Sequence, residues 1–468
     1  MVGGPRRRVI ATALVAAATL CVALLAVVTS DDGGEIRLGR GTTTTGATTT
    51  TDSSTAAPTS TSVDPTTSTA APVSAPPSSS APAAPSPTDA PSATTPAARA
   101  TAMAVPPART PWFSPSASWN RPAAEFGVAT ELQPYADRLW NFGGGAAPAG
   151  TFNVAFSEYS VPVYPLAEAS EFARAYQTTW SMELFGFGAP LGQRIPWNPA
   201  WRPGTGNDNL LAVVDESTGR AWELSGVGQQ NTACANRANV AAATRDNDGR
   251  SRYLCLSDLR MYDNLFTASD GSTVDGRGGG INKMALLTRA EEVKTGTIRH
   301  ALELTIASTM FGQPACAPTQ GASAPGAGVS CGFFLPPATK LERTNPDTGC
   351  PTPQVVTDAE RAKTVPEGMR FAINVTDGEI EQWLDARGYR GPLRNTARVF
   401  AVALRDYGWI VAETGCWGMH IETDSVIGAQ SLTWQQLGVS GDGSAWPRGD
   451  LLAGLITPGR MYVVRPPG

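Results

Sequence analysis

Three glutamates lie in stretches that alternate like strands: Glu223 in "RAWEL", Glu303 in "RHALEL" and Glu413 at the end of "WIVAET". Hydrolysis of a glycosidic bond is chemistry such residues can do. It needs two carboxyl groups roughly 5 to 9.5 Å apart, one of them kept protonated by apolar or acidic surroundings. His300 precedes Glu303 and could position or tune one of these acids. It also shares its alternation with Ile298, Leu302 and Leu304, which is the pattern of a buried, hydrogen-bonded core histidine. A second row lies in "AETGCWGMHIETDS", residues 412 to 425. Read as a strand, it puts Met419 and Ile421 on one side and His420, Glu422 and Asp424 on the other, neighbours about 6.5 to 7 Å apart. That spacing suits a solvated strand face as well as a site. With Gly415 and Gly418 loosening the stretch, the solvated face is the expectation.

Other chemistries are excluded or weak. The chain has 2 histidines, so a histidine-rich metal centre is impossible, and HExxH is absent. There is no GxSxG nucleophile elbow for a serine triad. "DGRGGG" (275 to 280) leads to no phosphate-binding GxxxxGK[ST] and reads as a loop. "DNDG" (246 to 249) has the start of a calcium loop without its remaining ligands. No metal and no cofactor are expected. The 12 tryptophans all follow residue 110, several in Pro/Gly-rich context, including Trp112, Trp119 and Trp446. An exposed indole face suits stacking on a sugar ring, which makes Trp197, Trp201, Trp222 and Trp417 candidate substrate-binding residues. The competing reading is that they pack a loop-rich, disulfide-stapled core.

The elements that must position these side chains are mostly strands. "LLAVVDESTGRAWEL" (210 to 224) reads as a hairpin, with Asp215 heading its turn for reasons of turn chemistry. "GTIRHALELTIA", "GMRFAINV", "WIVAET" and "RMYVV" are further strands. Helices are expected over "DGEIEQWLDARG", with Asp377 as N-cap and Gly388 as stop, and over "NTARVFAVALRDYG", ending at Gly408. A third is expected near "YPLAEASEFARAYQ". Many short strands with 48 Gly and 38 Pro predict a mainly β domain, a β-sandwich or jelly roll carrying a few helices. No internal repeat is present.

"LLAVVDESTGRAWEL", "GTIRHALELTIAS" and "ALRDYGWIVAETG", followed by "GRMYVV", resemble the core of a family of exported proteins of high-GC Gram-positive bacteria, mostly hypothetical proteins. The resemblance covers about residues 205 to 468 and implies export but no particular activity. It favours Glu223, His300 and Glu413 as catalytic candidates over carboxylates in the loops. The chain departs from the family pattern at Glu413, where the family usually has Asp, and at Cys416, an added cysteine.

Compartment and partners follow from the rest of the chain. Arg6, Arg7 and Arg8 precede an apolar run from Val9 to Val28, long enough to cross a bilayer core of roughly 30 Å. Residues 1 to 30 therefore read as a signal anchor or a signal peptide. Residues 31 to 109 form a Thr/Ser/Pro/Ala-rich disordered linker without apolar periodicity. Residues 110 to 468 form the extracellular domain. They hold six of the 7 cysteines, an even number that in an exported chain predicts disulfides. Proximity suggests Cys234 with Cys255, Cys316 with Cys331, and Cys350 with Cys416. This part is acidic, net −6, without a basic cluster, which argues against nucleic acid as a partner. The expected partner is a polysaccharide or cell-wall glycan, with membrane contact through the N-terminal segment alone. The expectation is a glycoside hydrolase at the cell surface or secreted. The alternative is a non-catalytic carbohydrate-binding or wall-attachment module.

Overall fold

A six-stranded sheet organises the domain. Its strands, in spatial order, are β1 (Phe152–Ala155), β12 (Met419–Glu422), β9 (Leu302–Ile306), β11 (Trp409–Thr414), β10 (Arg370–Ile373) and β13 (Met461–Val463). The computed structural model describes residues 112–145, 147–178, 188–206, 208–227, 252–267, 278–310, 332–342, 358–415, 418–440 and 447–467. The signal segment, the linker, "DNDG", Trp417 and Trp446 lie outside the described residues. So do all the cysteines except Cys255, which is disulfide-bonded. No helix among the described residues is long and apolar enough to cross a membrane.

The sheet is mixed: β1 runs parallel to β12 and β9 parallel to β11, while β10 is antiparallel to β11 and β13. Helices α1 (Pro134–Phe142), α2 (Ala290–Thr295), α3 (Asp377–Ala386), α4 (Gly391–Asp406) and α5 (Ser431–Gln436) accompany it. One sheet face joins a core with the apolar faces of α3 and α4. Leu302, Leu304, Trp409, Val411, Met419 and Ile421 meet Ile380, Leu384, Phe400 and Leu404 there. Both expected helices form. The cap of α3 is Thr376 and not Asp377, because Thr376 and Glu379 exchange hydrogen bonds in a capping box. Gly388 and Gly408 follow the two helices with φ of 68° and 71°, left-handed values that favour glycine.

Two further sheets stack on the other side. One has the order β2 (Val163–Pro165), β5 (Leu211–Asp215), β6 (Arg220–Ser225), β8 (Asp258–Tyr262). The other has the order β4 (Gln193–Trp197), β3 (Glu171–Gln177), β7 (Arg252–Leu256). Alternation along β5 and β6 explains the layering. Ala212, Val214 and Ala221 face the six-stranded sheet and pack with Ile410 and Ala412. Leu211, Val213, Trp222 and Leu224 face the three-stranded sheet and pack with Ala173, Ala175 and Ile195. The fold is thus β-rich, with mixed sheets and a few helices. The β5–β6 hairpin forms as expected, and Asp215 accepts hydrogen bonds from Ser217 and Thr218, which lower its pKa.

The third expected helix is a correction. Residues 171 to 177 form strand β3, and only Leu166–Glu168 makes a single 3-10 turn. In "EFARAYQ" the small Ala173 and Ala175 point inward while Phe172 and Arg174 point outward, a period of 2 that outweighs the helix propensity of alanine.

Candidate functional site

Alternation on β9 builds the site. Leu302, Leu304 and Ile306 enter the core beside the helices, so Glu303 and Thr305 emerge on the opposite face. Across β12, His420 pairs with Thr305, which sets Glu422 against Glu303; the Glu422 amide donates to the Glu303 carboxylate at 3.1 Å. The hydroxyl of Thr305 donates to the same carboxylate at 2.8 Å.

Across β11 the register slips. Val411 pairs with Leu304, but Glu413 pairs with Thr305, leaving Ala412 as an extra residue. This β-bulge decides where Glu413 points. Strict alternation from Trp409 and Val411 would aim it into the apolar core; the bulge turns it to the face of Glu303. One carboxylate oxygen each from Glu303, Glu413 and Glu422 lies within 4.8 Å of the other two. Three oxygen donors at this separation would suit an oxygen-preferring divalent cation. They equally suit acids that share protons.

Two more glutamates complete the cluster. The Thr414 amide donates to Glu342 at 3.0 Å, and the Glu342 amide donates to Glu367 at 3.2 Å. Glu367 also accepts from the Thr309 hydroxyl at 3.2 Å. Burial, with the charge of Glu413 next to it, pushes the Glu342 carboxyl up to about 7. Burial and the charge of Glu342 raise Glu367 well above the carboxylate range. Exposure sorts the five acids. Glu303, Glu367 and Glu422 are buried, whereas Glu342 and Glu413 are half-buried. The glycine-rich stretch lies over these two: the Gly278 amide donates to Glu413 at 3.3 Å, and a Cβ on Gly278 would fall on the Glu342 carboxylate. That close approach requires glycine there.

The row His420, Glu422, Asp424 is not a wet face. All three are buried, at 4 %, 2 % and 2 % exposure. His420 stacks on Tyr159 with ring centroids 5.7 Å apart. Asp424 lies beyond the end of β12 and serves another place. It accepts from the Ala290 amide at the start of α2 and from the Trp434 indole, and burial raises its pKa to about 8.

Glu223 and His300 have hydrogen-bond partners outside the five acids. Glu223, on β6, accepts from the Tyr262 hydroxyl at 3.1 Å and from the Met284 amide at 3.2 Å. It is not among the carboxylates grouped around Glu413. His300 lies just before β9, buried, with Nδ1 on the Ala301 carbonyl and Nε2 3.2 Å from Glu292. It bonds neither Glu223 nor Glu413, so the core reading of His300 describes it. Burial works against the charge on Glu292, but Arg289 and His300 outweigh it and hold that carboxyl at about 2.

The tryptophan expectation is corrected for three of its four residues, while Trp417 lies outside the described residues. Trp197, Trp201 and Trp222 are buried between the stacked sheets, where Trp201 stacks on Tyr164 and meets Trp197 edge-on. Their faces are taken up by packing. Glu342 and Glu367 were missed because "PPATKLE" and "VPEGMR" have no strand periodicity around the acid; nearness of Pro and Gly to a carboxylate was the sole signal. Comparison of the chain with protein-family models, with curated proteins and with solved structures found no match.

Proposed function

We propose that this chain is an exported, glycan-active protein of the cell surface or surroundings, and that it hydrolyses a cell-wall or environmental polysaccharide. One observation carries the reading: Glu342 is held protonated close to neutral pH beside Glu413, and these are the two half-buried members of the acid cluster. A protonated carboxyl next to an ionised one is the division of roles that glycoside hydrolysis demands. Glu342 is assigned as the general acid and Glu413 as the carboxylate that attacks or activates water. Glu303 and Glu422 lie buried on the Glu413 side of the site, and Glu367, which accepts from the Glu342 amide, holds the Glu342 backbone in place. Glu223 and His300 drop out of the catalytic set and keep structural roles.

The stacking of the six- and four-stranded sheets supports a sandwich- or jelly-roll-like reading of the β-rich domain. The resemblance to exported proteins of high-GC Gram-positive bacteria, the apolar N-terminal run and the Thr/Ser/Pro/Ala-rich linker support surface display. The test is release of reducing ends from a panel of wall and environmental polysaccharides, with a chelator present throughout. The proposal expects turnover on at least one substrate and its loss in Glu342→Gln and Glu413→Gln. Binding without turnover would move the assignment to a carbohydrate-binding or wall-attachment module.

A further inference from the structure

Arg370 is a buried cation held by neutral groups. It opens β10, where Phe371 and Ile373 enter the core beside the helices, so its side chain takes the other face of the six-stranded sheet. It is 7 % exposed. Its Nε donates to the Tyr407 carbonyl at 2.8 Å, Nη1 to the Ser118 carbonyl at 3.0 Å and Nη2 to the Arg121 carbonyl at 2.8 Å. A guanidinium has five N–H groups, so two remain without an acceptor among the described residues. The Phe126 ring centroid lies 5.3 Å from the guanidinium. Glu125, the acid that acts on Arg370 from a distance, is already paired with Arg121 at 2.9 Å. Burial lowers the pKa of Arg370 to about 10, which leaves it charged at neutral pH.

This side chain lies on the wall of a cleft. Arg465, Ser118, Phe126, Pro337 and Pro467 line the cleft with it, and no Asp or Glu is among the described lining residues. Arg465 adds a second positive charge; its partner Glu131, at 2.8 Å, does not line the cleft. The free volume is about 10 Å³, room for one water-sized group. A buried charge surrounded by neutral carbonyls keeps part of its desolvation cost, and a buried N–H without an acceptor adds to it. Water in the cleft would answer the second cost alone. A small anion answers both.

We infer that this cleft is a chloride site, in which one halide ion sits against Arg370 with Arg465 beside it. The cleft's charge calls for an anion, and its volume favours a monatomic ion over a bulkier oxyanion. The ion would also join distant parts of the chain. Ser118 and Arg121 belong to the segment that precedes α1, while the Val464 amide, just after β13, donates to the Arg370 carbonyl at 2.9 Å. Chloride therefore ties both segments to the six-stranded sheet. The inference is independent of the glycan reading, because its readout is anion binding and not turnover.

The experiment uses the full chain at fixed ionic strength, with sodium gluconate exchanged for sodium chloride. The chlorine NMR line should broaden in the presence of the parent, and added bromide should remove the broadening by competition. The thermal midpoint should rise by about 2 to 4 °C from gluconate to chloride. Arg370→Gln should lose both effects, whatever its own stability. Anomalous diffraction from bromide-soaked crystals of the parent locates the ion without any variant, and a peak against the Arg370 guanidinium is expected. An unbroadened line, equal midpoints in the two salts, broadening kept in Arg370→Gln, or a cleft without bromide would each overturn the inference.

Discussion

Glu413 stands opposite Thr305, not Ile306, because β11 carries one more residue than β9 between their paired positions. That residue is Ala412. It fixes the direction of the one acid that touches both halves of the cluster, the buried Glu303 and Glu422 on one side and the half-buried Glu342 on the other.

Glu342→Gln keeps an oxygen to accept from the Thr414 amide but cannot donate a proton. Turnover should fall about 100- to 10,000-fold, and the alkaline limb of the pH–rate profile should disappear. Retention of that limb would place the titrating acid elsewhere.

Stability should be greatest in mildly acidic solution. Glu342, raised from 4.5 to about 7, and Asp424, raised from 3.8 to about 8, hold protons in the fold that the unfolded chain has already released. Stability is therefore lost as pH rises from those unfolded values through the folded ones. Glu292, lowered from 4.5 to about 2, acts with the opposite sign: its contribution is full above 4.5 and is lost as pH falls toward 2. Thermal unfolding across pH should show a maximum between roughly pH 4 and 5. A steady rise in stability from pH 5 to pH 8 would contradict these assignments.

Trp201→Ala should act on the fold and not on glycan recognition. Its ring fills the space between Tyr164 and Trp197, so the change should cost about 3 to 5 kcal/mol. A variant of parental stability that had lost only glycan binding would restore the surface-platform reading of that tryptophan.

The strands, the hairpin and two of the helices were legible because period 2 and period 3.6 leave direct marks, as in "LELTI" and "ARVFAVAL". Strand β3 was obscured by its alanines, which suit a helix until the outward Phe172 and Arg174 are seen to alternate with them. The site was half legible. His420, Glu422 and Glu413 stood out as a row and its neighbour, but alternation alone assigns Glu413 to the core face. One inserted residue reverses that, and no periodicity reports an insertion. Glu342 and Glu367 reach the cluster from irregular segments, where spacing carries no information about direction. Burial of the row leaves no mark in the sequence, because a strand's second face is wet only where nothing packs over it, and His420 lies against the Tyr159 ring.

Glu342 keeps its proton near neutrality because desolvation and the neighbouring Glu413 carboxyl both oppose its charge. Carbon NMR of carboxyl-labelled glutamate, with the Glu342 signal assigned through Glu342→Gln, follows this titration directly. A midpoint near 7 is predicted for the parent, moving downward in Glu413→Gln as the neighbouring charge is removed. A parental midpoint at the ordinary value of 4.5, or one that Glu413→Gln leaves in place, would contradict it.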